Sequence, residues 1–314
     1  MNEHTRLSAL KECVKSRPAL YAPVLATYKT RALWNAYRSD PEFFQDIQSL
    51  ISAPEKYIVC HWEVSTNFGD ALSPTVVEML SGKTPVPLSR VPGWLAKDHF
   101  SVVGSVLQFP ASSRTEVWGS GFISADARFP LKPRRIHAVR GPLTRQKCLD
   151  QGVECPEVYG DPSVFLFERI AESLPRRSPN FKVALVPHYS DQSHPIVRAM
   201  CEREDVKFVN VRWPVEEVVA ALWDCQVVVS SSLHGLILAD SLGIPSRWLG
   251  VSDVVVRGGF KFQDYFQSVA RQEPEPLSVE SLTVQSAIQE ARYEVKSFDK
   301  ERLLEVCPFL NKSS

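Results

Sequence analysis

Val227-Val228-Val229-Ser230-Ser231-Ser232-Leu233-His234-Gly235 passes from an apolar run through three hydroxyl residues into the helical pattern ILADSLG, residues 237–243. A run of valines without polar alternation is typical of a parallel strand that is covered on both faces. The first turn of a helix that follows such a strand presents backbone N–H groups, to which anions bind. The segment therefore predicts a strand, a turn and a helix whose N-terminus is suited to an anion.

The same order of apolar run, loop and helix recurs on both sides of this segment. We predict strands at 57–62, 101–107, 116–121, 135–140, 157–161, 182–188, 206–211, 226–232 and 246–250, and helices at 194–204, 214–223, 233–242 and 261–271. A polar, proline-bearing stretch near 175–181 separates the two sets. This pattern predicts an α/β protein with two Rossmann-like, doubly wound domains.

We expect four parts along the chain: a helical N-terminal extension over 1–55, an N-terminal Rossmann-like domain over 56–178, a C-terminal Rossmann-like domain over 179–275, and a tail over 276–314 that packs back. Within the extension, Asp40 and Pro41 are predicted to start a helix. The excess of basic residues before position 40 leaves two interpretations open. One is a solvated helical face packed on the first domain, and the other is contact with an anionic membrane surface.

The composition narrows the class of protein. The 314 residues include 36 basic and 36 acidic residues, so no net charge favours nucleic acid as a partner. No apolar run approaches the roughly 20 residues that span a bilayer, and the N-terminus has no secretory signal pattern, so we expect a cytoplasmic protein. The seven cysteines form no Cys-x-x-Cys pair, and we expect reduced, mostly buried thiols.

Ligands of open parallel sheets bind outside the carboxyl ends of the strands. Polar residues that packing does not require follow five of the predicted strands: Asn67, Gly69 and Asp70; Arg140; Asp161; His188; and Ser232, Leu233, His234 and Gly235. Each has a structural alternative, such as a local turn at Asp70, an exposed Arg140, a capping Asp161 or a hydrogen-bonded structural His188. We also predict Ser73 as an N-cap and Pro74 as the first residue of the next helix.

Eight segments in order resemble the polysaccharide pyruvyl transferase family, in the style of the enzymes that modify xanthan and succinoglycan. They are NFGDALSP (67–74), VVGSVLQF (102–109), VWGSGF (117–122), AVRGPLTR (138–145), PEVYGDPSVF (156–165), VPHYSD (186–191), SSSLHGLILADSLGIP (230–245) and FKFQDYF (260–266). The resemblance implies a GT-B-like pair of Rossmann domains with the site in the cleft between them. It also implies phosphoenolpyruvate as the donor, bound by the second domain, and a pair of sugar hydroxyls as the acceptor, which yields a pyruvate ketal and phosphate.

The resemblance further implies that Arg140, Leu233 and His234 contact the donor. Many members have Arg where this chain has Ser232, and Lys261 and Arg145 are the candidates to replace that cation. We expect Arg140 and the N–H groups of 232–235, including Gly235, to hold the donor.

On the acceptor side, Asp70 is the expected base and His188 the second candidate. Asn67, Gly69 and Asp161 are expected to contact the acceptor, and His234 to contact phosphate or deliver a proton. Neither a metal nor another cofactor is expected.

Two other functions stay open at this stage. A nucleotide-sugar glycosyltransferase of GT-B architecture would also place a diphosphate at the 232–235 helix start. A non-catalytic sugar-binding protein of an export complex belongs to a different class. For the favoured function, the expected partners are phosphoenolpyruvate and a sugar or lipid-linked oligosaccharide, with peripheral contact to the inner face of the membrane as a further interpretation. The sequence leaves the acceptor sugar and the oligomeric state open.

Overall fold

A computed structural model describes residues 42–61, 68–91, 95, 98–109, 112–175, 178–251, 259–272, 275–295 and 298–310. The part of the chain before residue 42, which holds most of the predicted helical extension together with Asp40 and Pro41, lies outside these ranges. The extension's last predicted helix is present from residue 42 as α1 (Glu42–Ser52). None of the helices in the described ranges is long and apolar enough to cross a membrane.

The first sheet has five strands, all paired in parallel. Their order in the sheet is β2-β1-β3-β4-β5, with β1 (Tyr57–His61), β2 (Thr84–Pro87), β3 (His99–Ser101), β4 (Thr115–Trp118) and β5 (Arg135–Ala138). The helices of this part are α2 (Phe68–Ser81), α3 (Pro142–Asp150) and α4 (Ser163–Ser173). Parallel pairing requires crossover connections, and α2 provides the one between β1 and β2.

The second sheet also has five parallel strands, in the order β10-β9-β8-β6-β7. They are β6 (Phe181–Val186), β7 (Val206–Phe208), β8 (Cys225–Ser230), β9 (Ser246–Gly250) and β10 (Leu277–Ser278). The helices are α5 (Pro195–Cys201), α6 (Val215–Trp223), α7 (Leu233–Ser241), α8 (Gly259–Ser268), α9 (Val284–Glu290) and α10 (Lys300–Glu305). The predicted α/β class is confirmed, whereas the domain boundaries and the GT-B-like arrangement stay predictions.

Three local predictions are wrong. The predicted strand 101–107 ends at Ser101, and 157–161 forms only a single bridge between Tyr159 and Val139. Helix α2 begins at Phe68, so Ser73 is not its N-cap and Pro74 lies inside it. The Ser73 hydroxyl instead contacts the backbone of Val103, accepting from its N–H at 3.1 Å and donating to its carbonyl at 3.3 Å. Pro74 removes one backbone hydrogen bond from the helix, which the surrounding packing compensates.

One hydrophobic cluster extends under both sheets. It includes Trp118 from the first sheet, Val186 from the second, and Phe167 from α4. Helix α4 contacts α2 and α7, the two helices that follow β1 and β8. The first turns of α2 and α7 are therefore held close to each other by a shared core.

The chain returns to the first sheet at its C-terminal end. The indole Nε1 of Trp118 donates to the carbonyl of Leu303 at 2.9 Å, and the Phe309 ring packs edge-on against Trp118 with centroids 5.4 Å apart. Helix α9, in contrast, packs against β6 and β8 of the second sheet. The segment 298–310 thus adds aromatic packing to the first sheet.

Candidate active site

The turn between β8 and α7 is built around the hydroxyl of Ser230. This Oγ lies 3.0 Å from the carbonyl oxygen of Val186 and accepts from the N–H of Ser232 at 3.0 Å. A Cβ on Gly235 would lie 2.4 Å from the same Oγ, so only glycine fits there. Ser232 is the N-cap of α7, but its side chain makes no capping hydrogen bond. The N-cap side chain therefore does not satisfy the N–H groups in the first turn of α7, and unsatisfied N–H groups of this kind can bind an anion.

His234 lies in this first turn and faces Asp161. The imidazole Nε2 is 3.6 Å from the Asp161 Oδ2, a distance suited to an ion pair but long for a hydrogen bond. Both atoms are buried and have no hydrogen-bond partner. Asp161 lies in the loop between α3 and α4. The segment before it runs alongside the end of β5, where the N–H of Gly160 donates to the carbonyl of Val139.

The other oxygen of Asp161 is held by the start of α4. Its Oδ1 accepts from the N–H of Ser163 at 3.0 Å. Burial acts to raise the pKa of Asp161, but the nearby His234 and the hydrogen bonds from Ser163 outweigh burial and lower the pKa below its ordinary value. Asp161 therefore presents an ionised carboxylate to His234 at neutral pH. It fulfils the predicted capping role, and its predicted role in acceptor binding stays a prediction.

Helix α2 brings the first predicted segment to the same place. A Cβ added to Gly69 would lie 2.1 Å from the Nδ1 of His234 and 2.4 Å from its Cε1. The backbone of α2 thus packs directly on the imidazole, and the structure joins Gly69, Asp161 and His234. Asp70 occupies the same helical turn, although its side chain, like the whole of Asn67, lies outside the described part of the chain.

Replacing Gly69 by Ala tests this contact. We expect the substitution to displace His234, to lower the free energy of unfolding by about 1–3 kcal/mol through overpacking, and to reduce any His234-dependent activity. The matched control is Gly259→Ala at the start of α8, where an added Cβ would meet its nearest atom at 3.6 Å, an ordinary contact distance. Equal denaturant midpoints for the two variants would contradict the proximity of Gly69 to the ring.

Arg140 is fully buried, and each of its three guanidinium nitrogens donates to a protein partner. Its Nε donates to Asp264 Oδ2 at 3.0 Å and its two terminal nitrogens donate to the Ser105 hydroxyl and the Phe122 carbonyl at 2.6 and 2.7 Å. Asp264 also accepts from the N–H and the hydroxyl of Thr144, at 2.8 and 2.7 Å. The anion at the N-terminus of α3 is thus the Asp264 carboxylate of α8. Contact between Arg140 and the phosphoenolpyruvate donor stays a prediction.

The remaining candidates have local partners. The Nδ1 of His188 is 2.8 Å from the Ser190 hydroxyl, and its backbone N–H donates to Ser231, which places His188 beside the 230–232 turn. Lys261 lies over the ring of its neighbour Phe262, with Nζ 5.2 Å from the centroid. Arg145 donates to the carbonyl of Cys155 and pairs with Glu157 at 3.1 Å, so its guanidinium is directed to the loop after α3. The proposed functions of all three stay predictions.

Sequence reasoning missed Asp264 and Ser163. The signal for Asp264 was an acidic residue between Phe262 and Tyr265 on a predicted helix, because a carboxylate buried among aromatic residues needs a cation. The signal for Ser163 was its position two residues after Asp161, the spacing at which an Asp side chain accepts a backbone N–H. Within the described ranges, no group of three or more His, Cys, Asp or Glu residues is placed to hold a metal ion.

Two parallel sheets and a buried His–Asp pair at the start of α7 define an α/β protein with a candidate polar site beyond its strand ends. The family model described as polysaccharide pyruvyl transferase matches residues 106–253, a range that contains Arg140, Asp161 and His234. Residues 106–253 are therefore similar to the polysaccharide pyruvyl transferase family, and the resemblance stated from the sequence is confirmed.

Individual relatives agree with this placement. The succinoglycan biosynthesis protein ExoV of Rhizobium meliloti is 30% identical over 173 residues, which cover 53% of this chain and 52% of that protein. The protein L143 of Acanthamoeba polyphaga mimivirus is also 30% identical over 173 residues, 58% of its length. The chain therefore spans about half the length of the curated relatives it matches. A solved Klebsiella pneumoniae structure covers 74% of this chain and 97% of its own at 13% identity and a TM-score of 0.41, which does not establish a common fold.

Proposed function

We propose that the chain transfers a pyruvyl group from phosphoenolpyruvate to hydroxyls of a sugar in an exopolysaccharide or its oligosaccharide precursor. The products would be a pyruvate ketal and phosphate. The observation that carries the proposal is the position of His234. It lies inside the range matched by the pyruvyl transferase model, at a helix start without a side-chain cap, and faces the buried Asp161.

The reaction needs both a proton donor and a proton acceptor. Protonation of the methylene carbon of phosphoenolpyruvate makes the adjacent carbon cationic, and a sugar hydroxyl attacks that carbon and loses its proton. The bond to the phosphate oxygen then breaks, and a second hydroxyl closes the ketal while losing its own proton. The protein must also bind a highly charged anionic donor.

The residues at the start of α7 suit the donor side of this reaction. Among the N–H groups of 232–235, those of Leu233 and His234 would bind the donor's anionic group, because Ser232 donates to the Ser230 hydroxyl and Gly235 donates to the carbonyl of Ser232. The positive end of the helix dipole also favours an anion here. His234 would contact phosphate or deliver the proton to carbon. Because Ser232 supplies no positive charge, Arg140 and Lys261 remain the proposed cations, with Arg145 as a further candidate.

The acceptor side of the proposal rests on α2. Its first turn lies against the His234 ring at Gly69, so a sugar bound beside this contact would lie within reach of both. Asp70 is the proposed base for the hydroxyls, with Asn67 and Gly69 as contacts and His188 as the second candidate base. We extend the proposal to a cytoplasmic location with peripheral contact to the inner face of the membrane, where a lipid-linked acceptor would be presented.

Incubation of the protein with phosphoenolpyruvate and an oligosaccharide acceptor tests the function. We expect acceptor-dependent release of phosphate, together with a pyruvate ketal on the sugar detected by mass spectrometry. A parallel incubation with nucleotide sugars tests the glycosyltransferase alternative. Transfer from a nucleotide sugar, or binding of the oligosaccharide without any turnover, would overturn the proposal.

A further inference from the structure

We propose that Asp161 is a positioning residue that acts through His234, as the buried carboxylate that pairs with the imidazole and keeps it oriented for proton delivery. The inference rests on the proposed function and gives Asp161 a different role from acceptor binding. The pairing itself can be tested without turnover.

The position of His234 on α7 creates a need for a counter-charge. The first turn of a helix carries the positive end of the helix dipole, which disfavours a cation. A proton donor at that position has to carry a positive charge before it reacts. A fixed carboxylate offsets the dipole, and Asp161 Oδ2 is the carboxylate oxygen that lies 3.6 Å from the imidazole Nε2.

Asp161 is rigidly held and has one oxygen left over. Its exposed fraction is 0%, and the N–H of Ser163 fixes Oδ1. Oδ2 and the His234 Nε2 are both buried without a hydrogen-bond partner. In the described part of the chain, these two buried polar atoms of complementary charge face each other, and we assign them as partners.

Among the side chains that the structure describes, the other groups do not supply this charge. On α7 itself, Asp240 is bonded to Arg271 and to the hydroxyl of Tyr265. Tyr265 of α8 senses the charge of Asp161, and burial together with Asp240 raises its pKa well above the ordinary value, so it is neutral. From α2, the described residue at the ring is Gly69, which has no side chain. We therefore assign the pairing with His234 to the Asp161 carboxylate.

The variant Asp161→Asn removes the charge while an amide oxygen can still accept from Ser163. At saturating phosphoenolpyruvate we expect kcat to fall roughly 100-fold, the loss typical of a misplaced catalytic group. The KM for the acceptor should change little, and the alkaline limb of the kcat profile should move to lower pH. In a His234→Gln background the same substitution should have no further effect. The control is Asp205→Asn, which removes a carboxylate paired with Lys182 and Arg203 on the surface.

An NMR titration of the His234 ring nitrogens tests the pairing with Asp161 separately from the proposed pyruvyl transfer. At a fixed pH the protonated fraction of His234 should be smaller in Asp161→Asn than in the wild-type protein, whether or not the protein transfers pyruvate. Turnover by the wild type with an unchanged protonated fraction and pH profile in the variant would overturn the inference alone. A raised acceptor KM with an unmoved pH profile would do so as well, in favour of acceptor binding. A changed fraction without wild-type turnover would reject the proposed function and keep the pairing.

Discussion

Replacing Asp264 by Ala is expected to lower the free energy of unfolding by about 3–5 kcal/mol, because the change leaves the charge of Arg140 buried and unpaired. Both side chains have an exposed fraction of 0%. The substitution also removes the acceptor for the N–H and hydroxyl of Thr144. Denaturant unfolding followed by circular dichroism measures the change, which should appear as a lower midpoint.

A surface pair provides the control. Arg203 and Asp205 are paired at 3.0 Å, but their side chains are 53% and 25% exposed, so Asp205→Ala should lower the stability far less than Asp264→Ala does. Replacing Arg140 and Asp264 together by Met and Leu should recover much of the loss, because no charge then remains buried. A destabilisation by Asp264→Ala no larger than that by Asp205→Ala would show that the buried pair does not anchor α8 to α3.

Because Arg140 anchors α8, it is less available as the cation that binds the phosphoenolpyruvate donor. Its guanidinium already has three protein partners and is 0% exposed, so a phosphoenolpyruvate donor would reach it only if the surrounding packing opened. Ser232, the N-cap residue of α7, makes no side-chain capping hydrogen bond, which leaves the start of this helix as the alternative site for the donor's anionic group. An enzyme that binds its donor mainly there depends more on His234 than a family member with Arg at the position of Ser232.

The strands that the sequence predicts correctly include central ones rich in Val, such as β6 and β8, and also the edge strands β5 and β7. The missed strands β2 and β10 both lie at sheet edges, where a sequence such as Thr-Pro-Val-Pro is tolerated because one side of the strand needs no N–H donors. The error at 101–107 has another cause. Val102 and Val103 are buried in a loop under α2, and an apolar run indicates burial without distinguishing strand from loop.

The candidate site shows the same limit of local reasoning. The helix start at Ser232 and the position of His234 follow from consecutive residues, so the sequence predicts them. The partner of Arg140 lies 124 residues away along the chain, and no local pattern specifies that distance. Asp161 was identified as a polar residue at a strand end, but its closeness to His234 depends on how α4 brings α2 and α7 together.

Replacing His234 by Gln should lower kcat about 10²- to 10⁴-fold, the contribution typical of a group that transfers a proton in the rate-limiting step. Glutamine has a similar length and can donate a hydrogen bond from its amide, but it cannot deliver a proton. The KM for phosphoenolpyruvate should rise only modestly if the N–H groups of 232–235 hold the donor. Steady-state rates of ketal formation, with unfolding midpoints measured alongside, separate loss of chemistry from loss of fold.

The matched control is His137→Gln, because His137 also pairs with a carboxylate in a largely buried setting. Its Nε2 lies 2.7 Å from Glu116 Oε2, and its side chain is 12% exposed, against 11% for His234. It belongs to β5, however, and does not lie at a helix start. Loss of activity in both variants would indicate a general sensitivity to removing paired histidines. Loss in His234→Gln alone would assign the proton transfer to the helix start, and wild-type kcat in that variant would remove His234 from the mechanism.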